Sequence, residues 1–456
     1  MNMSFESLRK WLGIDAYTFR GGIHPEDMKE STCWKPIIDL PASDEMVFPV
    51  QMHLGAPAVP CVQIGDRVLM GQKIAEAGGY VSANIHSSVS GTVKAIEPRR
   101  HHTGVMVNSI VIENDGLDEL HPDVKGRNWR EMSPAQIVEV IREAGMVGMG
   151  GATFPTHVKL SPPPEKKIEY AIVNGAECEP YLTSDHRVML ETPDEVIEGL
   201  KIIMKLFDLE EGYIAIETNK PDAIAKMTEL AEKETEVKIK VVKVKTKYPQ
   251  GSEKHLIKAV TGRSVPPGKL PMDVGVVVDN IDTCAAIARA LLYGMPVCRR
   301  IVTVSGDCVK KPANFRVRVG TNVENVLAAC GEFNFTAQKV IIGGPLMGVA
   351  TPWTDVPVAK GTSGILVFSE KLAAVEKRQN CLRCGKCVDA CPMNLLPNQI
   401  KEAVAVNDLE RLKKLNITDC MQCGSCTYIC PAEQNPAQHI RTGKAKLVKA
   451  EKGAAK

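Results

Sequence analysis

Eight of the fifteen cysteines fall into two copies of one spacing near the C-terminus. The first is Cys381-x2-Cys384-x2-Cys387-x3-Cys391-Pro392, and the second is Cys420-x2-Cys423-x2-Cys426-x3-Cys430-Pro431. This is the spacing of paired [4Fe–4S] clusters. Closely spaced thiolates wrap one side of a cubane, and the fourth cysteine of each run, too far along to close the same box, ligates the other cluster. The pattern therefore assigns Cys381, Cys384, Cys387 and Cys430 to one cluster, and Cys420, Cys423, Cys426 and Cys391 to the second. Pro392 and Pro431 turn the chain after each motif. Gly385, Gly424 and Ser425 leave room for backbone N–H groups near the sulfides. Zinc sites and disulfides are the alternatives. Zinc takes two Cys-x2-Cys pairs rather than a triplet and a fourth, and disulfide knots do not suit a long chain that reads as cytosolic. Such clusters move single electrons.

A second segment is built to approach a ligand. In Gly145-Met146-Val147-Gly148-Met149-Gly150-Gly151-Ala152-Thr153-Phe154-Pro155-Thr156, glycines 148, 150 and 151 clear the Cβ atoms from a short arc. Backbone N–H groups can then approach a phosphate or an isoalloxazine ring closely. Alone, such a turn is weak evidence. It also departs from the dinucleotide fingerprint, because a helix and not a strand precedes it. His101-His102 has no third ligand in view and reads as a solvated turn.

The elements that must carry these segments follow from periodicity. Residues 47 to 113 read as short strands and glycine turns, a flattened barrel of two small sheets resembling the biotinyl/lipoyl carriers. A carrier needs a lysine at its hairpin tip. The segment between Ala75 and Ser87 offers Tyr80, Asn84 and His86 but no lysine, so a scaffold is expected. From Ser133 the pattern changes. Ser133-Pro134 starts a helix, with an N-cap and Pro at N1, and Ile137, Val140, Ile141 and Ala144 keep helical spacing. Strand-like Tyr170 to Asn174, helix Asp194 to Phe207, strand Tyr213 to Glu217, helix Asp222 to Lys233 and strand Val237 to Val244 then alternate. Alternation predicts α/β with a largely parallel sheet. The apolar run Val274 to Val278 fits a strand covered on both faces. A β-grasp unit is expected over 299–349, a connector over 350–374, the cluster domain over 375–440 with one helical stretch from Pro397 to Leu415, and a basic tail over 441–456.

At 456 residues the chain should form several domains. The 44% hydrophobic content suffices for buried cores, and a net charge of +2 gives no electrostatic case for nucleic acid. The other seven cysteines (Cys33, Cys61, Cys178, Cys284, Cys298, Cys308, Cys330) are scattered, and most of them read as small buried hydrophobes. The N-terminus shows no secretion signal. Nothing approaches the ~18 uninterrupted apolar residues of a membrane span. The tail carries six Lys/Arg against one Glu. It could touch an acidic membrane surface, but a frayed, solvated segment is expected.

The motifs taken in order resemble known families. Gly148-x-Gly150-Gly151-Ala152-x-Phe154-Pro155-Thr156-x-x-Lys159 is similar to the flavin loop of the NADH-oxidising 51-kDa subunit of respiratory complex I. Asn174-Gly175-Ala176-Glu177-Cys178-Glu179-Pro180, Tyr248-Pro249-Gln250-Gly251-Ser252-Glu253 and Asp279-Asn280-Ile281-Asp282-Thr283 resemble further segments of that family. With the Phe19-Arg20-Gly21-Gly22-Ile23-His24-Pro25 start, the lysine-free barrel, the β-grasp unit and the double cluster motif, nearly the whole chain resembles the C subunit of the Rnf complex, a membrane-associated ferredoxin:NAD⁺ oxidoreductase. The resemblance implies an N-terminal barrel-sandwich hybrid (1–128), a Rossmann-like α/β FMN/NADH domain (129–298), an SLBB-like β-grasp unit and a bacterial-type double [4Fe–4S] ferredoxin domain.

It also implies roles. Gly148, Gly150, Gly151, Lys159, Asn174, Asn280 and Thr283 would hold FMN, with Lys159 near its phosphate as a point charge. Glu177 would lie beside the flavin. Phe154, Glu179, Tyr248 and Glu253 would receive NADH, the two aromatics by stacking. Ala176 stands where the family has Asp, and Cys178 where it has Ser. A flavin belongs between nicotinamide and cluster because it exchanges both electron pairs and single electrons, so no acid–base residue is required. The implied partners are the other Rnf subunits, NADH/NAD⁺ and electrons from ferredoxin, with the chain held peripherally at the cytoplasmic face of the membrane. Alternatives are the cobalamin reductase of bacterial microcompartments, which starts nearer its flavin loop, an electron-wire or scaffold subunit without a working nucleotide site, and a biotin-type carrier.

Overall fold

The computed structural model describes residues 15–374 and 377–454. Residues 1–14, where a secretion signal would stand, and the last two residues of the basic tail lie outside the described residues. The barrel is formed by β2 (Glu45–Pro49), β3 (Val59–Pro60), β4 (Arg67–Val68), β5 (Lys73–Glu76), β6 (Ile85–His86), β7 (Gly91–Arg100) and β8 (Met106–Asn114), following a first short strand β1 (Ile37–Asp39). Its two sheets have the orders β2-β8-β7-β4 and β3-β5-β6. Between them pack Phe48, Val68, Ile74, Ile85, Val93, Ile110 and Ile112. Strand β1 lies outside this barrel and pairs in parallel with a strand of the β-grasp unit. The residues before it run along the nucleotide domain, where Tyr17 bridges the edge strand at Val244 and Ile23 exchanges backbone hydrogen bonds with Tyr248. The expected 1–128 unit is thus divided, because the backbone groups of its opening segment are satisfied at the sheet edges of other domains.

The α/β domain opens with helix Pro134–Glu143, whose Ser133 cap and Gln136 form a capping box. Strands β9 (Tyr170–Gly175), β10 (Glu211–Glu217), β11 (Lys238–Val244) and β12 (Val276–Asn280) follow. All are parallel, in the order β11-β10-β9-β12. Helices Pro193–Leu206, Pro221–Lys233 and Ile281–Leu292 cover the sheet. From Val276 to Asp279, β12 is buried throughout, as its apolar run predicts. The chain winds from β9 to β10 to β11, then returns to the far side of β9. That reversal opens a crevice beyond the carboxyl ends of β9 and β12, the place where open α/β sheets bind ligands.

The β-grasp unit contains β13 (Arg299–Ser305), β14 (Ala313–Arg318), β15 (Lys339–Ile342), β16 (Val349–Thr351) and β17 (Gly364–Phe368), in a sheet ordered β1-β14-β13-β17-β15-β16. The expected connector is therefore no connector. Its strand β17 lies between β13 and β15 and is buried along its whole length. A wholly apolar Gly-Ile-Leu-Val-Phe run satisfies its backbone and side chains best inside a sheet.

The cluster domain repeats itself. Arg383, Gly385 and Asn394 have positive φ, and so do Gln422, Gly424 and Glu433 at the matching places. Short helix Lys386–Asp389 matches Ser425–Tyr428, and the helices beginning at Pro397 and Pro436 correspond. Two expectations are corrected. The stretch Pro397 to Leu415 is two helices, Pro397–Ala405 and Leu409–Lys414, parted at left-handed Asn407 and restarted by the Asp408 side chain capping Arg411 N. The tail is a helix, Pro436–Ala454, that packs on Pro397–Ala405 and buries Ile440 and Leu447.

Candidate functional site

The glycine arc lies over the crevice. Val147 bridges Pro155, and Gly148 N donates to the Phe154 carbonyl at 2.9 Å, closing the loop at its base. Phe154 is half-buried at that closure. Gly150 and Gly151 are exposed at the crest. A Cβ on Gly151 would meet nothing within 4 Å, whereas one on Gly150 would come within 2.8 Å of the Asn280 amide nitrogen. The arc is thus open on one side and backed by Asn280 on the other. Such a bare backbone surface fits a ligand that must come close.

Asn174 and Asn280 stand opposite each other in register at the carboxyl ends of β9 and β12. Asn280 caps the following helix, its Oδ1 accepting from Asp282 N and Thr283 N. Its Nδ2 donates to Asp185 Oδ2 at 2.6 Å. Burial, with Glu177 and Asp282 nearby, raises the Asp185 carboxyl well above the ordinary range. Asn174 Nδ2 donates to the Gly251 carbonyl at 2.8 Å. Thr283 is fully buried and its hydroxyl accepts from Met149 N at 2.9 Å, so it braces the arc from behind.

Lys159 lies at the end of the short helix Thr156–Lys159. Its Nζ donates to the Val278 carbonyl at 2.7 Å and lies 3.1 Å from Glu253 and 3.6 Å from Asp279. Burial alone would lower its pKa, but the Asp279 and Glu253 carboxylates outweigh burial and hold it above the ordinary lysine value. Burial pushes Asp279 up to about 6 despite the pull of Lys159, and one of its carboxylate oxygens has no hydrogen-bond partner among the described residues. Here the structure brings together Lys159, expected near a phosphate, and Glu253, expected at the nicotinamide.

The acidic loop after β9 is not a solvated turn. Glu177 accepts from Asp185 N at 2.7 Å and His186 N at 3.2 Å, at the start of helix Ser184–Glu191. Glu179 accepts from Leu346 N at 3.0 Å and Met347 N at 2.9 Å, from the β-grasp glycine turn. Burial raises the Glu179 carboxyl to about 7. The loop backbone is held by two buried lysines: Lys29 Nζ donates to the carbonyls of Glu177, Glu179 and Leu182, and Lys220 Nζ to that of Ala176. Sequence reasoning missed Lys29, Lys220, Asp185 and Asp279. Of these only Asp279 sits in a segment singled out by its motif.

Tyr248 is placed differently from expectation. It is 1% exposed, so its ring is not free to stack on a nicotinamide. Its hydroxyl donates to the Cys423 carbonyl at 2.8 Å. Alongside, His255 bonds the Pro392 carbonyl at 2.9 Å, and Ile23, Ala390 and Cys423 close a shared apolar contact with Cys178, Leu346 and Met421. These residues fasten the nucleotide domain to one half of the cluster domain.

The crossed assignment of the cysteines is a proposal from their spacing: among the described residues no group of three or more His, Cys, Asp or Glu side chains is set to hold a metal ion. Burial raises the Cys426 thiol to about 12, with Cys423, Cys420, Cys391 and Cys387 nearby adding to it, and burial also raises Cys391 and Cys420. Cys387 neighbours Cys430 and Cys381. Cysteines at this spacing would bind a polynuclear cation as thiolates. The first set is the one touched by Tyr248. In the other set Cys381 and Cys384 are exposed. Lys444, from the C-terminal helix, donates to the Cys420 carbonyl at 3.0 Å.

Family models match four domains along the chain. Residues 17–117 match the RnfC barrel sandwich hybrid domain, 141–289 the Nuo51 FMN-binding domain, 301–350 the SLBB domain and 373–445 a 4Fe-4S dicluster domain. The chain is 48% identical to the C subunit of the proton-translocating ferredoxin:NAD(+) oxidoreductase complex of Clostridium ljungdahlii, covering 93% of each chain. It is 46% identical to the Na(+)-translocating counterpart of Acetobacterium woodii, over 94% of this chain and 97% of that one. A solved chain of an NAD+-reducing [NiFe]-hydrogenase is similar at 20% identity with a TM-score of 0.49, over 69% of this chain and 63% of that one.

Proposed function

From the premise that the chain belongs to the RnfC family, the C subunits of ion-translocating ferredoxin:NAD(+) oxidoreductase complexes, we propose that it is where nicotinamide and flavin meet the complex's iron–sulfur chain. FMN, when bound, supplies the exchange between an electron pair and single electrons. The chain's own residues supply the setting. The arc at Gly148, Gly150 and Gly151 offers backbone N–H groups to the cofactor, and Thr283 and Asn280 fix that arc. Lys159 offers a cation at the crevice floor. Phe154, Glu179 and Glu253 border the space for the nicotinamide, and burial of Glu179 favours hydrogen bonding over a solvated charge.

One observation carries the reading: Tyr248 and His255 fasten this domain directly to the loops of Cys423 and Cys391. The set Cys391, Cys420, Cys423 and Cys426 is therefore the inner one, against the nucleotide domain. The set with exposed Cys381 and Cys384 is the outer one, facing partner subunits. No described helix is long and apolar enough to cross a membrane. We place the chain at the cytoplasmic face, held by partners, where nicotinamide and reduced thiolates are found.

The test is anaerobic reconstitution with FMN, iron and sulfide, followed by NADH. Bleaching of the cluster absorbance is expected. Intact clusters that do not bleach would reduce the chain to an electron wire.

A further inference from the structure

Strands β13 and β14 run antiparallel, with Arg299 opposite Arg318 and Ile301 opposite Arg316. Opposed residues share a face of the sheet, as do residues two apart on one strand. Three guanidiniums therefore leave one face together. Like charges set directly opposite destabilise a sheet, so the arrangement calls for a counter-charge.

The counter-charges present are incomplete. Arg316 pairs with Asp39 at 2.6 Å and Arg318 with Asp118 at 2.7 Å, but those acids are 75% and 46% exposed. The Arg299 guanidinium has no hydrogen-bond or ion-pair partner among the described residues. Nearby acids are already engaged: Glu195 and Asp282 bind Arg289, and Asp282 also binds Arg300. Burial, then the adjacent Arg289 and Arg316, press the Arg299 pKa down, although a guanidinium stays charged.

These arginines line a cavity of about 560 Å³ whose other walls include Leu40, Met70 and Met295, and whose lining also holds Asp39 and Asp118. The volume lies within the range of small-molecule sites, roughly 300–1,000 Å³, and exceeds what a bare oxyanion fills. The apolar wall asks for a carbon body beside the charge.

We propose that this cavity, at the junction of the barrel, nucleotide and β-grasp domains, binds a small organic phosphate or diphosphate, with Arg299 as its principal ligand. A guanidinium fork matches the paired oxygens of such a group. The site is separate from the crevice: Arg300, next along the strand, is engaged with Asp282 and donates to the Met149 carbonyl of the glycine arc. The volume favours a small molecule over an acidic segment of a partner protein.

The test uses the full chain loaded with FMN and both clusters, so that the flavin phosphate position is filled. Inorganic pyrophosphate is titrated calorimetrically into the wild type, Arg299→Gln and Arg299→Lys. Wild type should bind, and Arg299→Gln should bind about tenfold or more weakly, as expected for loss of a charge-assisted pair. Arg299→Lys should fall between, and flavin and iron per chain should be unchanged. Pyrophosphate should raise the melting temperature of the wild type and not of Arg299→Gln. If Arg299→Gln does not fold, Arg316→Gln serves in its place. Equal binding by wild type and variant, or no binding by the wild type, overturns the proposal. Preferential binding of a hexaglutamate peptide also overturns it, and would assign the face to a protein partner.

Discussion

Replacing Lys159 by Met removes the ammonium from a crevice floor that holds two carboxylates. That ammonium lies 3.6 Å from Asp279, whose side chain is 2% exposed, and 3.1 Å from Glu253, which is 37% exposed. Breaking a buried pair costs about 3–5 kcal/mol. The Glu253 half is screened by solvent and adds little, so the Asp279 half sets the cost, about 3 kcal/mol at pH 8. For a domain of this size that is a fall of about 6–12 °C in its melting transition. The loss must depend on pH. Burial already raises Asp279 to about 6 with Lys159 in place, and removing the lysine raises it further. A carboxyl whose folded pKa lies above its unfolded value stabilises below the unfolded value and loses that contribution as pH rises through the folded one. The variant should therefore be destabilised strongly at pH 8 and only slightly at pH 5. The assay is thermal unfolding at both pH values, with FMN and iron counted per chain. FMN retention should fall and iron should not. Equal destabilisation at both pH values would refute the ion-pair argument, and loss of half the iron would refute the domain assignment.

Other variants probe the rest. Glu179→Gln keeps the shape of its side chain but sets an amide against one of the two N–H groups it now accepts; NADH oxidation should fall with iron content unchanged. Because burial raises Glu179 to about 7, its stabilising contribution is lost as pH rises through that value, so the melting temperature of Glu179→Gln should vary less between pH 5.5 and 8 than that of the wild type. Tyr248→Phe leaves the Cys423 carbonyl without its 2.8 Å partner; a cost of about 1–3 kcal/mol and an altered electron paramagnetic resonance signal of one cluster are expected, and an unchanged signal with unchanged stability would show that the contact is incidental. Cys384→Ala should remove the outer cluster while flavin binding and NADH-dependent bleaching of the remaining cluster persist; loss of bleaching would reverse the order of the two.

Much of this arrangement is legible in the chain because local rules and tertiary demands coincide. The cysteine spacing dictates a pseudo-symmetric cluster domain, and the matched left-handed residues Gly385 and Gly424 follow from it. The alternating run from Ser133 to Val278 yields a parallel sheet because each period agrees with the burial that the sheet provides. Other features were visible and outweighed. Asn435-Pro436 is a helix start, and Ile440 and Leu447 keep helical spacing, but the charges of the tail mask them. Gly364 to Phe368 is a wholly apolar run set among prolines and glycines. Tyr248 is a different case. Its partner Cys423 is 175 residues away, and nothing local to Tyr248-Pro249 distinguishes a ring facing a ligand from one facing another domain. Lys29 likewise reads as a surface lysine until the fold supplies three carbonyls around it.

The most direct test is metal and flavin analysis of the oxygen-free chain, joined to its optical response to NADH. The account predicts one FMN and two [4Fe–4S] clusters, about eight iron atoms, whose absorbance falls when NADH is added. Zinc at those thiolates, or clusters that ignore NADH in the presence of bound FMN, would contradict it.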